Sequence, residues 1–248
     1  MLPEICRIGS FTIYSYGLML VAAFFISANL CSLQARKEGL DGEQVFNLLF
    51  YVFIFGIIGS RLFYVLINAR FYLYHPLEII MLQHGGMAIF GGLIFGTATA
   101  VVLIKQYKID LLKTLDLLVP FIALGQSIGR IGCLLNGCCF GRESEYGLYF
   151  KLLDRVLLPT QLYSSLLLLL IFIILRFKQD HQHLPGELLC AYLFLYSGKR
   201  FFIEFLRNDS PRLFLGLTLF QVLSLVMFFL TLGIFIKLFL IKKNNPDR

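Results

Sequence analysis

Apolar runs of about 20 residues recur along the chain, and each is long enough to cross the hydrocarbon core of a bilayer. The chain has 248 residues, of which 58% are hydrophobic and 15% are charged. Soluble domains have a smaller apolar fraction and a larger charged fraction. The sequence therefore predicts an all-α, polytopic integral membrane protein.

The order of apolar and polar stretches predicts about seven transmembrane helices in a single domain over residues 1–248. A small extracytoplasmic cap is expected over the polar stretch 136–158, and a loop over residues 68–86. The N-terminal residues lack the features of a signal peptide, so we expect the first span to be retained. The expected spans cover about residues 11–33, 45–67, 87–104, 115–135, 160–177, 187–206 and 213–240.

Lys and Arg outnumber Asp and Glu, which gives the chain a net charge of +7. The loops on the side of the C-terminus carry more Lys and Arg than the alternate loops. The positive-inside rule therefore predicts a cytoplasmic C-terminus and an external N-terminus. Positive charge also suits anionic lipid headgroups. The sequence has no basic stripe with interleaved aromatic residues, so nucleic acid is not an expected partner.

A glycine-rich stretch that contains one arginine, Gly129–Gly141, follows the apolar run 117–124. A charge at membrane depth costs roughly 2.5–3.5 kcal/mol on insertion scales, so Arg130 requires an opposite charge or a polar ligand. A guanidinium grips a phosphate or a carboxylate with two parallel hydrogen bonds, and glycines let backbone and ligand approach closely. The alternative is a close-packed helix bend whose arginine extends to the headgroups.

Three polar residues of the sixth expected span, Tyr196, Arg200 and Glu204, are spaced four apart and share one helix face. Arg207 extends this stripe by three positions. An internal Arg–Glu pair can be purely structural. Ionisable residues within membrane spans are nevertheless functional candidates by default, and we favour function for this stripe.

Three cysteines, Cys133, Cys138 and Cys139, lie close together in the sequence. Their spacing is not that of the CxxC pair of a zinc or thioredoxin site. No metal site is therefore expected, and a disulfide or a metal ion is left as the alternative.

Together these stretches resemble the prolipoprotein diacylglyceryl transferase family over nearly the whole chain. Gly129-Arg130-Ile131-Gly132, with Asn136-Gly137 and Gly141, is similar to the family's signature loop, and Tyr196, Arg200 and Glu204 match its Tyr…Arg…Glu helix. Each motif is weak alone, so their joint order and spacing carry the resemblance. Shorter similar motifs are Tyr16-Gly17, Gly59-Ser60-Arg61 with Tyr64, Gly85-Gly86-Met87 through Gly91-Gly92, and Pro159-Thr160-Gln161-Leu162-Tyr163.

The resemblance implies a transferase of the bacterial inner membrane, which moves the diacylglyceryl group of phosphatidylglycerol to the lipobox cysteine thiol of a prolipoprotein and releases glycerol phosphate. It implies no metal and no organic cofactor. Expelling a phosphate requires its charge to be held in a dry site, a task suited to Arg130 and Arg200. The candidate catalytic residues are Tyr16, His84, Tyr196, Arg200 and Glu204. The candidate phosphatidylglycerol-binding residues are Arg61, Tyr64, Arg130, Gly132, Asn136, Gly141, Gln161 and Arg207.

The chain departs from the family pattern at four positions. Phe90 stands where many members carry a histidine that has been considered a base, and Ser164 replaces a glutamate. Cys133 and Cys138 replace an asparagine and a glutamate of the signature. Because Phe90 cannot accept a proton, a base must lie elsewhere if one is needed. The candidates for it are His84, Glu204 and Tyr16.

Three other functions stay open at this point. A catalytically silent homologue that binds phosphatidylglycerol without transferring it would fit the four departures. A transporter for anionic lipids would suit the buried charges, but transporters usually contain two related halves, which this sequence lacks. A membrane thiol-redox protein would use Cys138 and Cys139.

Overall fold

The computed structural model describes residues 4–8, 11–81, 85–150, 153–207, 212–214 and 216–244. Helices dominate these residues, as the sequence predicts. The helices are α1 (Ser15–Lys37), α2 (Gly42–Ile67), α3 (Ala69–Tyr74), α4 (Ile89–Gln106), α5 (Leu111–Asn136), α6 (Thr160–Gln179), α7 (Glu187–Glu204) and α8 (Leu219–Asn244). The strands are β1 (Glu4–Ile8), β2 (Phe11–Tyr14), β3 (Glu143–Phe150), β4 (Arg155–Leu157), β5 (Arg212–Phe214) and β6 (Leu217–Thr218), in the antiparallel pairs β1–β2, β3–β4 and β5–β6.

Six helices of the described part are long and apolar enough to cross a membrane, namely α1, α2, α4, α5, α6 and the Leu219–Lys237 part of α8. The chain is therefore a polytopic helical membrane protein. The sixth expected span corresponds to α7, which is as long as α4 but less apolar, because it contains Glu187, Lys199, Arg200 and Glu204. The total number of spans and the cap over residues 136–158 stay predictions.

Short elements occupy several stretches where helix ends or a loop were expected. Residues 11–14, the expected start of the first span, form β2 and pair with β1. The start of the last expected span likewise forms β5 and β6, and α7 ends at Glu204 rather than at residue 206. The expected loop 68–86 contains α3 and a 3-10 turn, Pro76–Ile79. Hydropathy missed these elements because a short apolar run has no period that separates strand from helix.

The chain divides into two compact units, one formed by Met1–Ser27 with Leu112–Arg248 and the other by Ala28–Leu111. In the first unit, α5, α6 and α7 pack around a shared apolar core. Two serines also join α5 to α6, since Ser127 Oγ donates to Ser165 O at 2.8 Å and Ser165 Oγ donates to Ser127 O at 2.9 Å. The core residues are Val119, Ala123, Ile171, Leu175, Leu188 and Tyr192.

A carboxylate of α5 caps the N-terminus of α7. The N-cap residue of α7 is Gly186, which has no side chain to accept a hydrogen bond. Asp116 takes this role, because its carboxylate accepts from Gly186 N at 2.6 Å and from Leu189 N at 2.8 Å. Asp116 is 2% exposed, and its negative charge also favours the helix N-terminus. The contact fixes where α7 begins beside α5.

In the second unit, small residues let α2 and α4 approach at backbone distance. A Cβ added at Gly59 would lie 2.7 Å from Gly91 O, and a Cβ at Gly91 would collide with Gly59 O. A Cβ at Gly92 would collide with the Ser60 hydroxyl. These small residues therefore allow close packing of α2 against α4.

Candidate functional site

The signature loop begins where α5 ends at Asn136 and is held by the first turn of α6. Gly137 has a φ of +72°, the left-handed conformation common after a helix, and Cys139 has a φ of +63°. Thr160 Oγ1 donates to Cys139 O at 2.8 Å, and Gln161 Nε2 donates to Cys138 O at 2.6 Å. Both side chains are almost fully buried, so they fix the loop backbone firmly.

The two ends of the Gln161 amide differ in their contacts with the described residues. Gln161 is 1% exposed, and its Oε1 has no hydrogen-bond partner among the described residues. A buried polar atom without a partner is unfavourable, and a water molecule or a hydroxyl donor at this point would remove the cost. The expected lipid contact of Gln161 thus stays a prediction that the geometry permits.

The far end of the loop is joined to the end of α7. Gly141 N donates to Leu158 O at 2.8 Å, Arg142 N donates to Leu206 O at 2.8 Å, and Gly141 pairs with Arg207 in an isolated β-bridge. A Cβ at Gly141 would lie 2.6 Å from Leu206 O, so this position requires glycine for packing. Arg207 was expected to continue the α7 stripe, but the helix ends at Glu204 and Arg207 lies in the bridge instead.

Arg130 lies half-buried in the last part of α5. Its guanidinium has no hydrogen bond or ion pair with any residue in the part of the chain that the structure describes. It interacts electrostatically with Tyr16, Lys199 and Arg200. An unpaired guanidinium beside two further cations attracts an anion, and its fork geometry suits a phosphate.

Two members of the predicted stripe on α7, Arg200 and Glu204, form an ion pair. Arg200 Nη2 lies 3.0 Å from Glu204 Oε2, and Glu204 is 2% exposed. Thr218 Oγ1 donates to Glu204 Oε1 at 3.2 Å. The Arg200 guanidinium also lies over the Phe220 ring, 4.5 Å from its centroid. Glu204 therefore balances the charge of Arg200 and holds it in place.

Lys199 is a member of the site that sequence reasoning did not single out. It is 7% exposed, and its ammonium lies 4.4 Å from the centroid of the Tyr196 ring. Among the described residues no carboxylate pairs with it, whereas Arg130 and Arg200 are within electrostatic reach. The signal was present in the sequence, since a lysine inside an expected span is itself a functional candidate.

Tyr16 reaches the same region from the first turn of α1. A Cβ at Gly132 would lie 3.4 Å from Tyr16 Cδ2 and 3.0 Å from Met19 Cβ, so this glycine lets α1 approach α5. The Tyr16 hydroxyl has no hydrogen-bond partner among the described residues, and it interacts electrostatically with Arg130. Gly132 thus acts by giving Tyr16 room, and its contact with lipid stays a prediction.

The three signature cysteines converge beside these residues. The sulfur atoms of Cys133, Cys138 and Cys139 all lie within 4.8 Å of one another, and all three are free thiols. Hydrogen bonds from the other two thiols lower the pKa of Cys139 against the opposing effect of burial, and the charges of Arg207 and Arg130 lower it further. The side chain of Asn136 lies beside Cys138 and favours the thiolate form of that cysteine.

Arg61 and Tyr64 belong to the second unit. All five N–H groups of the Arg61 guanidinium donate to backbone carbonyls, which are those of Glu78, Ile79, Met81, Gly85 and Gly86. No N–H remains for a phosphate, so this geometry favours an organising role for Arg61 over the expected lipid contact. A Cβ at Gly86, which has a φ of +79°, would collide with the Tyr64 ring. His84 lies outside the described residues.

Comparison with known proteins places these features in one family. The family model for prolipoprotein diacylglyceryl transferase matches residues 3–237. The phosphatidylglycerol–prolipoprotein diacylglyceryl transferase of Staphylococcus xylosus is 32% identical over 237 residues, covering 91% of this chain and 85% of the relative. Its namesake in Synechococcus sp. strain CC9902 is 36% identical over 91% of this chain and 89% of the relative. The Clostridium tetani protein of that name is 31% identical over 95% of this chain and 96% of the relative. The chain therefore belongs to the prolipoprotein diacylglyceryl transferase family.

Proposed function

We propose that this chain is a transferase of the bacterial inner membrane, with its C-terminus in the cytoplasm and its N-terminus outside. It transfers the diacylglyceryl group of phosphatidylglycerol to the lipobox cysteine thiol of a prolipoprotein and releases glycerol phosphate. The observation that carries the proposal is the guanidinium of Arg130, which has no hydrogen bond or ion pair with the described residues and lies near Lys199 and Arg200. The names of the relatives supply the two substrates.

The reaction exchanges one bond for another at a glyceryl carbon. The sulfur of the acceptor forms a thioether bond to that carbon while the bond from the carbon to the phosphate oxygen breaks. The glycerol phosphate leaves with the bonding electrons, so negative charge grows on its oxygens. Arg130, Lys199 and Arg200 stabilise that charge, and the burial of Lys199 and the partial burial of the two arginines strengthen such interactions.

The acceptor thiol has an ordinary pKa of about 8.5 and must lose its proton to attack. Of the two base candidates that the structure describes, Glu204 has its carboxylate engaged by Arg200 and Thr218. The Tyr16 hydroxyl has no hydrogen-bond partner among the described residues and lies near Arg130, but a phenol keeps its own proton at neutral pH and cannot take one from a thiol. We therefore assign the positioning of Arg200 to Glu204, and to Tyr16 a hydrogen bond to the phosphate. The proton of the thiol leaves with the glycerol phosphate, whose newly released phosphate oxygen accepts it.

The test is transfer of label from phosphatidylglycerol to a lipobox peptide by purified protein. Arg130→Ala should reduce the rate by about 100-fold or more, as removal of a preorganised oxyanion donor does. Arg142→Ala is the matched control, because Arg142 is an exposed arginine of the same loop. Its rate should stay close to that of the wild type.

Equal rates for the two variants would exclude Arg130 from the reaction. If the wild-type protein binds phosphatidylglycerol but transfers nothing, the proposed activity is wrong and a catalytically silent lipid-binding protein replaces it.

A further inference from the structure

The three cysteines of the signature loop form a ligand set whose geometry suits a metal ion. Their sulfur atoms all lie within 4.8 Å of one another. Zinc–sulfur bonds of about 2.3 Å place the sulfurs of a tetrahedral site about 3.8 Å apart, so small side-chain rotations are enough to close the set on an ion. We propose that Cys133, Cys138 and Cys139 bind one zinc ion through their sulfur atoms.

The backbone that carries two of the ligands is already fixed. Thr160 Oγ1 donates to Cys139 O, and Gln161 Nε2 donates to Cys138 O. Cys133 projects from the last turns of α5, which is a rigid support. Metal sites depend on outer groups of this kind, since these orient the ligands before the ion arrives.

The charges around the three cysteines favour the zinc-bound state. Zn²⁺ bound by three thiolates carries a net negative charge, and Arg130 and Arg207 are within electrostatic reach of Cys139. The side chain of Asn136 lies beside Cys138 and favours its thiolate form, which is the form that binds a metal ion. The two guanidinium groups therefore stabilise the negatively charged complex of zinc with the three thiolates.

A disulfide accounts for the cluster less well than a metal ion does. A disulfide would use two of the sulfurs and leave the third, whereas an ion uses all three. The three cysteines are half-buried, so an ion has a path to them. A fourth ligand from solvent or substrate completes the tetrahedron that three protein ligands begin.

The first experiment measures zinc per chain by mass spectrometry in protein purified without chelators. We expect about one zinc ion per chain in the wild type, and loss of most of it in each of Cys133→Ser, Cys138→Ser and Cys139→Ser. Cys190→Ser is the matched control, because Cys190 is a buried cysteine of α7 outside the cluster, and it should retain the ion. A single symmetrical elution peak in detergent shows that each variant is folded.

The second experiment replaces zinc with cobalt, which reports directly on sulfur ligation. Cobalt-loaded wild-type protein and Cys190→Ser should show thiolate-to-cobalt charge-transfer absorption that Cys139→Ser lacks. The proposal would be overturned if the purified protein held no zinc and its three thiols stayed reactive in excess zinc. A disulfide within the cluster would also overturn it, and so would zinc that all three serine variants retain. Neither readout depends on transfer activity, so the proposal can fail while the proposed function stands.

Discussion

At the scale of single residues, the site brings three positively charged side chains close together. Arg130 has no protein partner among the described residues, Lys199 lies against the ring of Tyr196, and Arg200 alone has a carboxylate, Glu204, beside it. Burying positive charges with too few negative ones is costly unless an anion completes the set. The arrangement therefore fits a protein that holds a phosphate while it works.

Replacing Lys199 tests whether Arg130, Lys199 and Arg200 together hold a phosphate. Lys199→Met keeps the length of the side chain and removes its charge, so kcat/KM for phosphatidylglycerol should fall at least about tenfold, which corresponds to ~1.4 kcal/mol. Lys199→Arg should recover part of the loss. Lys105→Met, at an exposed position of α4, is the control and should leave kcat/KM unchanged. Equal values for the two methionine variants would remove Lys199 from the site.

Replacing Glu204 tests the role of the buried ion pair. Glu204→Gln leaves the Arg200 guanidinium without its opposite charge in a setting where the Glu204 side chain is 0% and the Arg200 side chain 14% exposed. Breaking a buried pair on one side costs about 3–5 kcal/mol, so the melting temperature in detergent should fall clearly. Glu145→Gln, on an exposed part of β3, should leave it unchanged. A Glu204→Gln protein as stable as this control would contradict the account.

At the scale of elements, the sequence predicted most of the helices and the residues that α5 and α7 contribute. It could not predict how the loop after α5 meets the end of α7, because the backbone hydrogen bond from Arg142 to Leu206 joins residues far apart in the chain. The sequence also could not predict that the sulfur atoms of the three cysteines lie together. Cys133 is five residues from Cys138, a spacing without a motif, and only the turn at Gly137 brings the sulfurs together.

The cap of α7 offers a test at this scale. Asp116→Ala removes two hydrogen bonds to the backbone of α7 and leaves buried N–H groups without an acceptor, so the free energy of unfolding should fall by about 1–3 kcal/mol. Asp180→Ala removes an exposed ion pair with Arg176, which is worth about 0–1 kcal/mol. Chemical unfolding in detergent compares the two variants. Equal destabilisation would show that α7 does not depend on Asp116.

At the scale of the whole molecule, hydropathy was enough to predict a polytopic helical membrane protein, because six helices of the described part are long and apolar. It was not enough to count the spans, since α7 contains charged residues that lower its hydropathy. Family membership rests on motifs spread over nearly the full length, and the match to residues 3–237 agrees with that spread. Two of the four departures from the family pattern, Cys133 and Cys138, lie in the cysteine cluster, and there the sequence resemblance was least informative.

The most direct test of the central claim is the mass of the acceptor peptide after the reaction. Purified protein is incubated with phosphatidylglycerol vesicles and a peptide that contains a lipobox cysteine. The account predicts a peptide heavier by one diacylglyceryl group, formed with the cysteine peptide but not with its serine counterpart, and absent when phosphatidylcholine replaces phosphatidylglycerol. An unmodified cysteine peptide, with folded protein and bound phosphatidylglycerol in the same sample, would contradict it.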